Sequence, residues 1–198
     1  MNYKYCSRCG VLLEMKESGG RQRPTCPQCG FIVFLPFSIG AGGLLIQDGR
    51  VLLIQRKLPP GAGQWTLPSG YVEIDETPDE AVVREVFEES GLRTRAVGLI
   101  AVWHTPRQES QDAWYVFGMQ LDGPLTDLKP GGDGVETQRA GFFAPSEFAA
   151  LGEMGPLSRY SAEHFLPGQA VLFPDPIAYQ LTAQRPTPSR IGLLPRQG

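Results

Sequence analysis

Apolar runs separated by short polar breaks occupy the middle of the chain. Residues 39–46 and 50–56 are two such runs, and Asp48-Gly49 lies in the break between them. An Asp-Gly pair between apolar runs is typical of a β-hairpin turn. Further runs rich in β-branched and aromatic residues also predict strands. These later runs span residues 99–104, 113–121 and 139–144.

One segment between the early and late strands predicts a helix. Thr77 suits the N-cap, Pro78 suits the first turn, and Glu80 lies three residues after Thr77, as in a capping box. Gly91 suits the left-handed position that ends a helix. The helix is therefore predicted to run from Pro78 to Ser90.

The predicted helix has an acidic arc and an apolar arc. Its carboxylates fall on one side with Ala81, and its larger apolar side chains fall on the other. The two sets are Glu85, Glu88 and Glu89, and Val82, Val83, Val86 and Phe87. A solvated surface is the plain alternative, but like charges at this spacing cost about 0.2–0.5 kcal/mol per pair. Because only Arg84 is near, the arc predicts a bound divalent cation with oxygen ligands, Mg²⁺ or Mn²⁺.

The order of the elements indicates a mixed β-sheet covered by helices, because strands flank the helix and residues 156–166 suggest a second one. Composition agrees with one globular domain plus a small appendage, at 198 residues with 41% hydrophobic and 20% charged positions. We expect residues 36–166 to form the main domain and 167–198, with their prolines, to be an irregular tail.

Charge and hydropathy exclude some classes of partner. The formal net charge is −3 and no long basic run occurs, so nucleic acid is not an expected partner. No apolar stretch approaches the roughly 20 residues of a membrane helix. The first ten residues have no apolar signal core, which predicts a cytoplasmic protein without membrane association.

Two cysteine pairs stand near the start of the chain. Cys6-x-x-Cys9 and Cys26-x-x-Cys29 are sixteen residues apart, and each pair is followed by glycine. Paired hooks at this distance predict a structural Zn²⁺ site with four thiolate ligands. Disulfides are the alternative, but they rarely persist in the cytosol. Residues 1–35 are therefore predicted to form a zinc ribbon.

The segment around the acidic helix resembles the Nudix box. A glycine, five residues, a glutamate, seven residues and then Arg-Glu-apolar-x-Glu-Glu-x-Gly-apolar occur in that order. The matching positions are Gly70, Glu76, Arg84, Glu85, Val86, Glu88, Glu89, Gly91 and Leu92. The flanking strands are also similar to the family over roughly residues 36–150. The resemblance implies an α+β fold, a Nudix-type α/β/α sandwich with a mixed sheet.

The resemblance also implies roles for single residues. Arg84 is expected to pair with Glu76 and to hold the preceding loop against the helix. The catalytic base is expected to be Glu88, Glu89 or the loop residue Glu136, for which an ordinary exposed acid is the alternative. The implied ligands of the catalytic metal are Glu85, Glu88, Glu89, Glu73 and the carbonyl of Gly70.

A zinc ribbon followed by such a domain resembles the arrangement in pyrophosphatases that act on ADP-ribose, FAD or NADH. The stretch 103–112 lacks the Ser-Gln-Pro-Trp-type signature of the NADH group, so ADP-ribose or an FAD-like substrate is the preferred prediction. NADH is the alternative substrate. Candidate substrate contacts are Arg56, Trp65, Tyr71 and Trp103, for which surface or core packing is the alternative.

Other functions stay open at this stage. A ligand-sensing regulator could use the ribbon on nucleic acid, since Lys16, Arg21 and Arg23 lie there. An isoprenoid isomerase would need a further catalytic cysteine, and the predicted zinc site uses all four. By analogy with relatives, the Pro-rich tail is a candidate for homodimer contacts.

Overall fold

The computed structural model describes residues 3–34, 37–106, 111–125, 134–165, 177–182 and 185–190. The chain forms two compact units, one made mainly of residues up to Phe37 together with Gln111, and one made of the remaining residues from Ser38. Within the described ranges no helix is both long enough and apolar enough to cross a membrane.

The first unit is built around one antiparallel hairpin. Its strands are β1, Glu14–Ser18, and β2, Arg21–Thr25. Gly19 and Gly20 form the connection with φ values of 62° and 73°. Two consecutive left-handed residues suit the twist of a tight hairpin, and glycine adopts this conformation without steric cost.

A nine-stranded mixed sheet dominates the second unit. Its order is β11-β10-β7-β8-β3-β4-β5, with β6 paired to β3 and β9 paired to β4. Strand β10 runs parallel to β7, whereas β3–β4, β3–β6 and β4–β9 are antiparallel. The strands are β3 Phe37–Gln47, β4 Arg50–Arg56, β5 Trp65–Thr66, β6 Ser69–Tyr71, β7 Thr94–Pro106, β8 Gln111–Leu121, β9 Thr137–Phe143, β10 Ile177–Thr182 and β11 Arg185–Arg190.

The predicted Asp-Gly hairpin is confirmed. Gln47 of β3 pairs with Arg50 of β4, so Asp48 and Gly49 form a two-residue turn. Their φ values are 50° and 73°. Both residues are left-handed, as a type I′ turn requires.

Helices cover both faces of the sheet. They are α1, Pro78–Ser90, and α2, Pro156–Phe165, and a 3₁₀ helix spans Pro145–Ala150. Successive strand residues point to opposite faces: Leu44 packs in one buried cluster with Ala162 of α2, and Leu45 packs in another with Val82 of α1. The predicted α/β/α sandwich with a mixed sheet is thus confirmed.

The observed strands differ from the predicted ones in extent. Strand β7 begins at Thr94, before the apolar run predicted from Leu99. Strands β5 and β6 were not predicted, because two or three residues are too few to show alternation. The other predicted strands lie within or overlap longer observed strands.

The prediction of an irregular tail is wrong for residues 177–182 and 185–190, which pair as β10 and β11. Prolines prompted that prediction, and two of them, Pro186 and Pro188, lie in β11. β11 is at the end of the strand order, where a residue without an N–H is tolerated. Residues 167–176, 183–184 and 191–198 of the tail lie outside the described residues.

The predicted arcs of α1 are wrong at three positions. Ala81 and Glu89 are buried, 0% and 5% exposed, whereas Phe87 is 40% exposed. The buried face of the helix runs through Val82 and Val86 and includes Glu89. The helix is therefore rotated towards its acidic side, so that one of its carboxylates lies inside the protein.

Close packing between α1 and the sheet depends on a glycine of β3. A Cβ atom at Gly43 would lie 2.8 Å from Val86 Cγ2, 3.1 Å from Val82 Cγ2 and 3.0 Å from Met119 Cγ. The helix that carries the acidic residues thus rests directly on the backbone of the strand.

We expect Gly43→Ala to lower the free energy of unfolding by about 1–3 kcal/mol, because the added methyl overpacks this contact. Gly98→Ala is the matched control, since a Cβ there meets no heavy atom within 4 Å. That variant should differ from wild type by less than about 0.5 kcal/mol. Urea unfolding at neutral pH measures both values. Equal losses in the two variants would show that helix packing is not the cause.

Candidate functional site

Local capping sets the ends of α1 and so the positions of its acidic residues. The Thr77 N–H and hydroxyl both donate to Glu80 Oε2, at 2.8 and 2.9 Å. At the other end Gly91 has φ 77°, and its N–H donates to the Phe87 carbonyl at 2.7 Å. The predicted helix, Pro78 to Ser90, is confirmed.

Arg84 connects the helix to the loop that precedes it. Its Nε and Nη2 donate to the two carboxylate oxygens of Glu76, at 3.1 and 2.6 Å. Nη1 donates to Glu85 at 2.6 Å and to Glu88 at 3.1 Å, and Nη2 also reaches the carbonyl of Tyr71 at 3.2 Å. The expected pair of Arg84 with Glu76 therefore exists, in the two-pronged form that guanidinium favours.

The carboxylates around Arg84 have opposite electrostatic environments. Arg84 lowers the pKa of Glu76, and the Glu73 N–H, 3.0 Å from Glu76 Oε1, lowers it further. Burial raises the pKa of Glu85 although Arg84 opposes this effect, and the negative charge of Glu136 adds to the rise. Arg84 thus favours the charged form of Glu76, which fixes the loop, whereas burial disfavours the charged form of Glu85.

Glu89 joins three parts of the second unit. One of its oxygens accepts the Ser69 N–H at 2.8 Å, and the other lies 3.5 Å from the Thr137 hydroxyl. Thr137 opens β9, and Glu136 directly precedes it, with its carbonyl accepting the Lys57 N–H at 2.8 Å. The candidate base Glu136 is therefore brought to the acidic side of α1. Residues 131–133 of its loop lie outside the described part of the chain.

Gly70 is required by the close approach of a carboxylate. It pairs with Ala41 of β3, and a Cβ atom on it would overlap the carboxylate of Glu85. No side chain larger than hydrogen fits this position without moving Glu85. The backbone of β6 thus lies against the acidic face of α1.

The acidic set has the donor chemistry for a hard divalent cation. Mg²⁺ and Mn²⁺ prefer oxygen ligands, and the set comprises Glu73, Glu85, Glu88, Glu89 and the Gly70 carbonyl. In the described part of the chain, however, only the four cysteines have ligand atoms that already converge. The argument from like charges needs correction, because Arg84 supplies a counter-charge to Glu85 and Glu88.

Two aromatic candidates for substrate contact lie in the core. Trp65 is 5% exposed, and the centroid of its ring lies 4.8 Å from that of Phe143 in an edge-on arrangement. Trp103 is 2% exposed, and the centroid of its ring lies 6.1 Å from that of Tyr160. Neither indole offers a free face to a ligand. Both side chains therefore pack in the core, which was the alternative interpretation for each.

Tyr71 lies at the surface beside an aromatic residue that was not among the selected candidates. It is 51% exposed, and its ring centroid is 5.4 Å from that of Trp114. The Trp114 ring covers Gly40, which is paired with Tyr71 across β3 and β6. Strand β3, which lies between β6 and β8, brings the two rings together, and the local sequence does not indicate this contact. Arg56 donates from Nε to the Pro60 carbonyl at 3.1 Å.

In the first unit the four cysteines converge as predicted. Sulfur–sulfur distances are 3.6 Å for Cys6–Cys29, 3.4 Å for Cys9–Cys26 and 3.7 Å for Cys9–Cys29. A disulfide would need about 2.05 Å. Four sulfurs about 2.3 Å from one tetrahedral zinc would lie about 3.8 Å apart. The cluster therefore fits a single metal ion and not two disulfides.

The two cysteine hooks share one backbone design. The Arg8 N–H donates to Cys6 Sγ at 3.4 Å, and the Cys29 N–H donates to Cys26 Sγ at 3.4 Å. This second bond lowers the pKa of the Cys26 thiol to about 6. The glycine after each pair is left-handed, with φ 74° in one hook and 73° in the other. The pKa is thus lowered at the first cysteine of each hook, Cys6 and Cys26, which favours the thiolate that binds metal, whereas the pKa of the second cysteine, Cys9 or Cys29, is raised.

Comparisons with known proteins identify the family to which the second unit belongs. A family model for the NUDIX domain matches residues 36–165. The ADP-ribose pyrophosphatase of Methanocaldococcus jannaschii is 35% identical over 106 residues, which are 54% of this chain and 63% of that protein. The NAD-capped RNA hydrolase NudC of Haemophilus influenzae is 28% identical over 132 residues, 65% of this chain and 46% of that protein. The chain thus spans less than two thirds of the length of these curated relatives.

A solved structure extends the comparison to the fold. The crystal structure of a NUDIX hydrolase from Nitrosomonas europaea is similar with a TM-score of 0.67 and 26% identity. The similarity covers 84% of this chain and 94% of that one. The resemblance drawn from the sequence is therefore confirmed at the level of family and fold.

We expect native mass spectrometry to find one Zn²⁺ per chain, because the sulfur geometry suits one tetrahedral ion. Cys26→Ser should lose the metal, since it removes one of the four thiolates. Met15→Ser is the control, because Met15 lies in the same unit and is 61% exposed. A folded wild-type chain without metal, or a Cys26→Ser variant that keeps it, would contradict the zinc assignment.

Proposed function

Because this chain belongs to the NUDIX family, we propose that it hydrolyses the diphosphate linkage of a nucleoside diphosphate derivative, with ADP-ribose or an FAD-like molecule as the preferred substrate. The observation that carries the proposal is the arrangement of three helix carboxylates beside the backbone of β6: Glu85 and Glu88 accept from Arg84, and Glu89 accepts the Ser69 N–H. Similarity to an ADP-ribose pyrophosphatase supports the substrate class.

The carboxylates of α1 and the Gly70 carbonyl would hold the divalent cation that NUDIX enzymes use, which we propose to be Mg²⁺ or Mn²⁺. When bound, such an ion neutralises diphosphate oxygens and acidifies a water molecule. Because Arg84 Nε and Nη2 donate to Glu76, the loop would stay in place if a cation replaced Nη1 at Glu85 and Glu88. Arg84 and Glu76 are thus positioning residues, and the carboxylates of α1 contact the reacting site.

We propose Glu136 as the general base, with Glu88 as the other candidate. Glu89 is less suited, because the Ser69 N–H and the Thr137 hydroxyl hold its two oxygens. Glu136 is exposed, and its charge acts on Glu85. It stands at the end of a glycine-containing loop, from which it can approach a water molecule beside the diphosphate.

Substrate recognition is proposed for the aromatic pair of Tyr71 and Trp114. The pair lies next to Gly70 in the sheet, and Tyr71 is exposed. A nucleotide base stacked there would place its diphosphate towards the acidic face. Arg56 stays a candidate for a phosphate contact, whereas the buried Trp65 and Trp103 are not retained.

NADH is a second candidate substrate. Similarity to a NAD-capped RNA hydrolase over 65% of this chain favours it. The absence of a Ser-Gln-Pro-Trp-type signature in the stretch 103–112 opposes it, and residues 107–110 of that stretch lie outside the described residues. Both substrates contain the same diphosphate linkage, so the chemistry proposed for α1 serves either.

Two expectations about the protein in the cell stay predictions. The four cysteines form no disulfide and suit a reducing compartment, as the predicted cytoplasmic location requires. Homodimer formation is the other expectation, and it rests on analogy with relatives.

We expect the wild-type chain with Mg²⁺ or Mn²⁺ to hydrolyse at least one of ADP-ribose, FAD and NADH, and to lose activity with a chelator. Glu89→Gln should lower kcat by about 100-fold or more, because it weakens both the metal site and the contact with Ser69. Glu163→Gln is the matched control, since Glu163 is exposed on α2. No hydrolysis of any substrate would contradict the enzyme assignment, and full activity of Glu89→Gln would contradict the site.

Glu136→Gln should lower kcat by about 10²- to 10⁴-fold at saturating metal with little change in KM, because it removes the base but not the ligands. Steady-state kinetics over a range of substrate concentrations measure both constants. Near-normal turnover in this variant would remove Glu136 from the mechanism. Glu88→Gln then becomes the decisive variant.

A further inference from the structure

The two compact units carry net charges of opposite sign. Residues 1–37 hold five of the 18 basic and two of the 21 acidic residues, a net charge of +3, so the remainder of the chain carries −6. The total of −3, which argued against nucleic acid, is therefore an average over unlike parts. A basic unit joined to an acidic one favours a polyanionic partner for the basic unit.

The basic residues of the β1–β2 hairpin are concentrated on one face. Lys16 lies directly opposite Arg23, and Arg21 lies opposite Ser18. Because alternate residues of a strand share a face, these three cations point the same way. The one carboxylate on that face is Glu14, 3.6 Å from Lys16 Nζ. Like charges directly opposite each other destabilise a hairpin, so this face gains stability from a bound anion.

An exposed aromatic ring borders the basic face. The Arg23 guanidinium lies over the Phe34 ring, 4.7 Å from its centroid, and Phe34 is 64% exposed. A similar contact, 4.6 Å, places Arg8 over Phe31. A guanidinium and an accessible aromatic ring both offer planar surfaces on which an unpaired base can stack.

We propose that this face of the first unit binds single-stranded nucleic acid, with Lys16, Arg21 and Arg23 on the phosphates and Phe34 stacking on a base. The combination of charge and stacking favours this ligand over the alternatives. A duplex hides the faces of its bases, and an acidic peptide has none. The proposal goes beyond diphosphate hydrolysis and does not depend on it.

Fluorescence anisotropy of the full chain with zinc bound tests the proposal. The probes are a labelled single strand of about 12 nucleotides, as RNA and as DNA, the corresponding duplex, and a glutamate-rich peptide. We expect both single strands to bind more tightly than the duplex or the peptide between about 50 and 200 mM salt. The ratio of the two single-strand affinities shows which sugar is preferred.

Variants of the hairpin and of Phe34 test the contributions of charge and of the aromatic ring. The double variant Lys16→Gln/Arg23→Gln should reduce the slope of log affinity against log salt by about 1.4, since each phosphate contact contributes about 0.7 for a single strand. Phe34→Ala should weaken binding about tenfold with little change in slope. Arg21→Gln, at the exposed end of the hairpin, is a milder variant for use if the double variant loses zinc.

The controls make the outcome decisive. Arg95→Gln removes one positive charge from the second unit, where the side chain is 59% exposed, and should bind like wild type. Native mass spectrometry confirms the zinc content of each variant. No binding at 50 mM salt, equal affinity for the duplex or peptide, or hairpin variants that behave like Arg95→Gln would each overturn the proposal.

Discussion

The guanidinium of Arg84 is the contact on which the acidic site depends. It joins Glu76 and the Tyr71 carbonyl of the loop to Glu85 and Glu88 of the helix. Without it, several carboxylates would face each other across a narrow gap with no neutralising charge. Because guanidinium stays protonated at any physiological pH, the loop and the helix remain connected whether or not a substrate is present. The remaining parts of the site are arranged around this fixed connection.

Features that depend on a few adjacent residues could be predicted from the sequence. The ends of α1, the Asp48-Gly49 turn and the cysteine hooks each follow from local backbone preferences. The burial of Glu89 and the exposure of Phe87 could not be predicted in this way. A helix pattern gives the relative directions of side chains, but its rotation against the sheet is decided by packing, here over Gly43.

Aromatic residues show the same limit for the substrate surface. Trp65 and Tyr71 are close in sequence, yet one is in the core and the other at the surface. Their difference follows from strand pairing, which places Tyr71 next to Gly40 and hence beside Trp114. Composition has a comparable weakness, because a net charge summed over the whole chain conceals a basic unit joined to an acidic one.

The close contact at Gly70 limits changes in the length of the loop between Tyr71 and Glu76. The carboxylate of Glu85 occupies the place of a side chain at Gly70, and Arg84 holds both Tyr71 and Glu76. Both ends of the intervening loop are thus fixed to one helix within a few ångströms. An inserted or deleted residue there would shift one end relative to the other and separate the glycine from the carboxylate. Surface connections elsewhere, such as the one between β4 and β5, can absorb such changes.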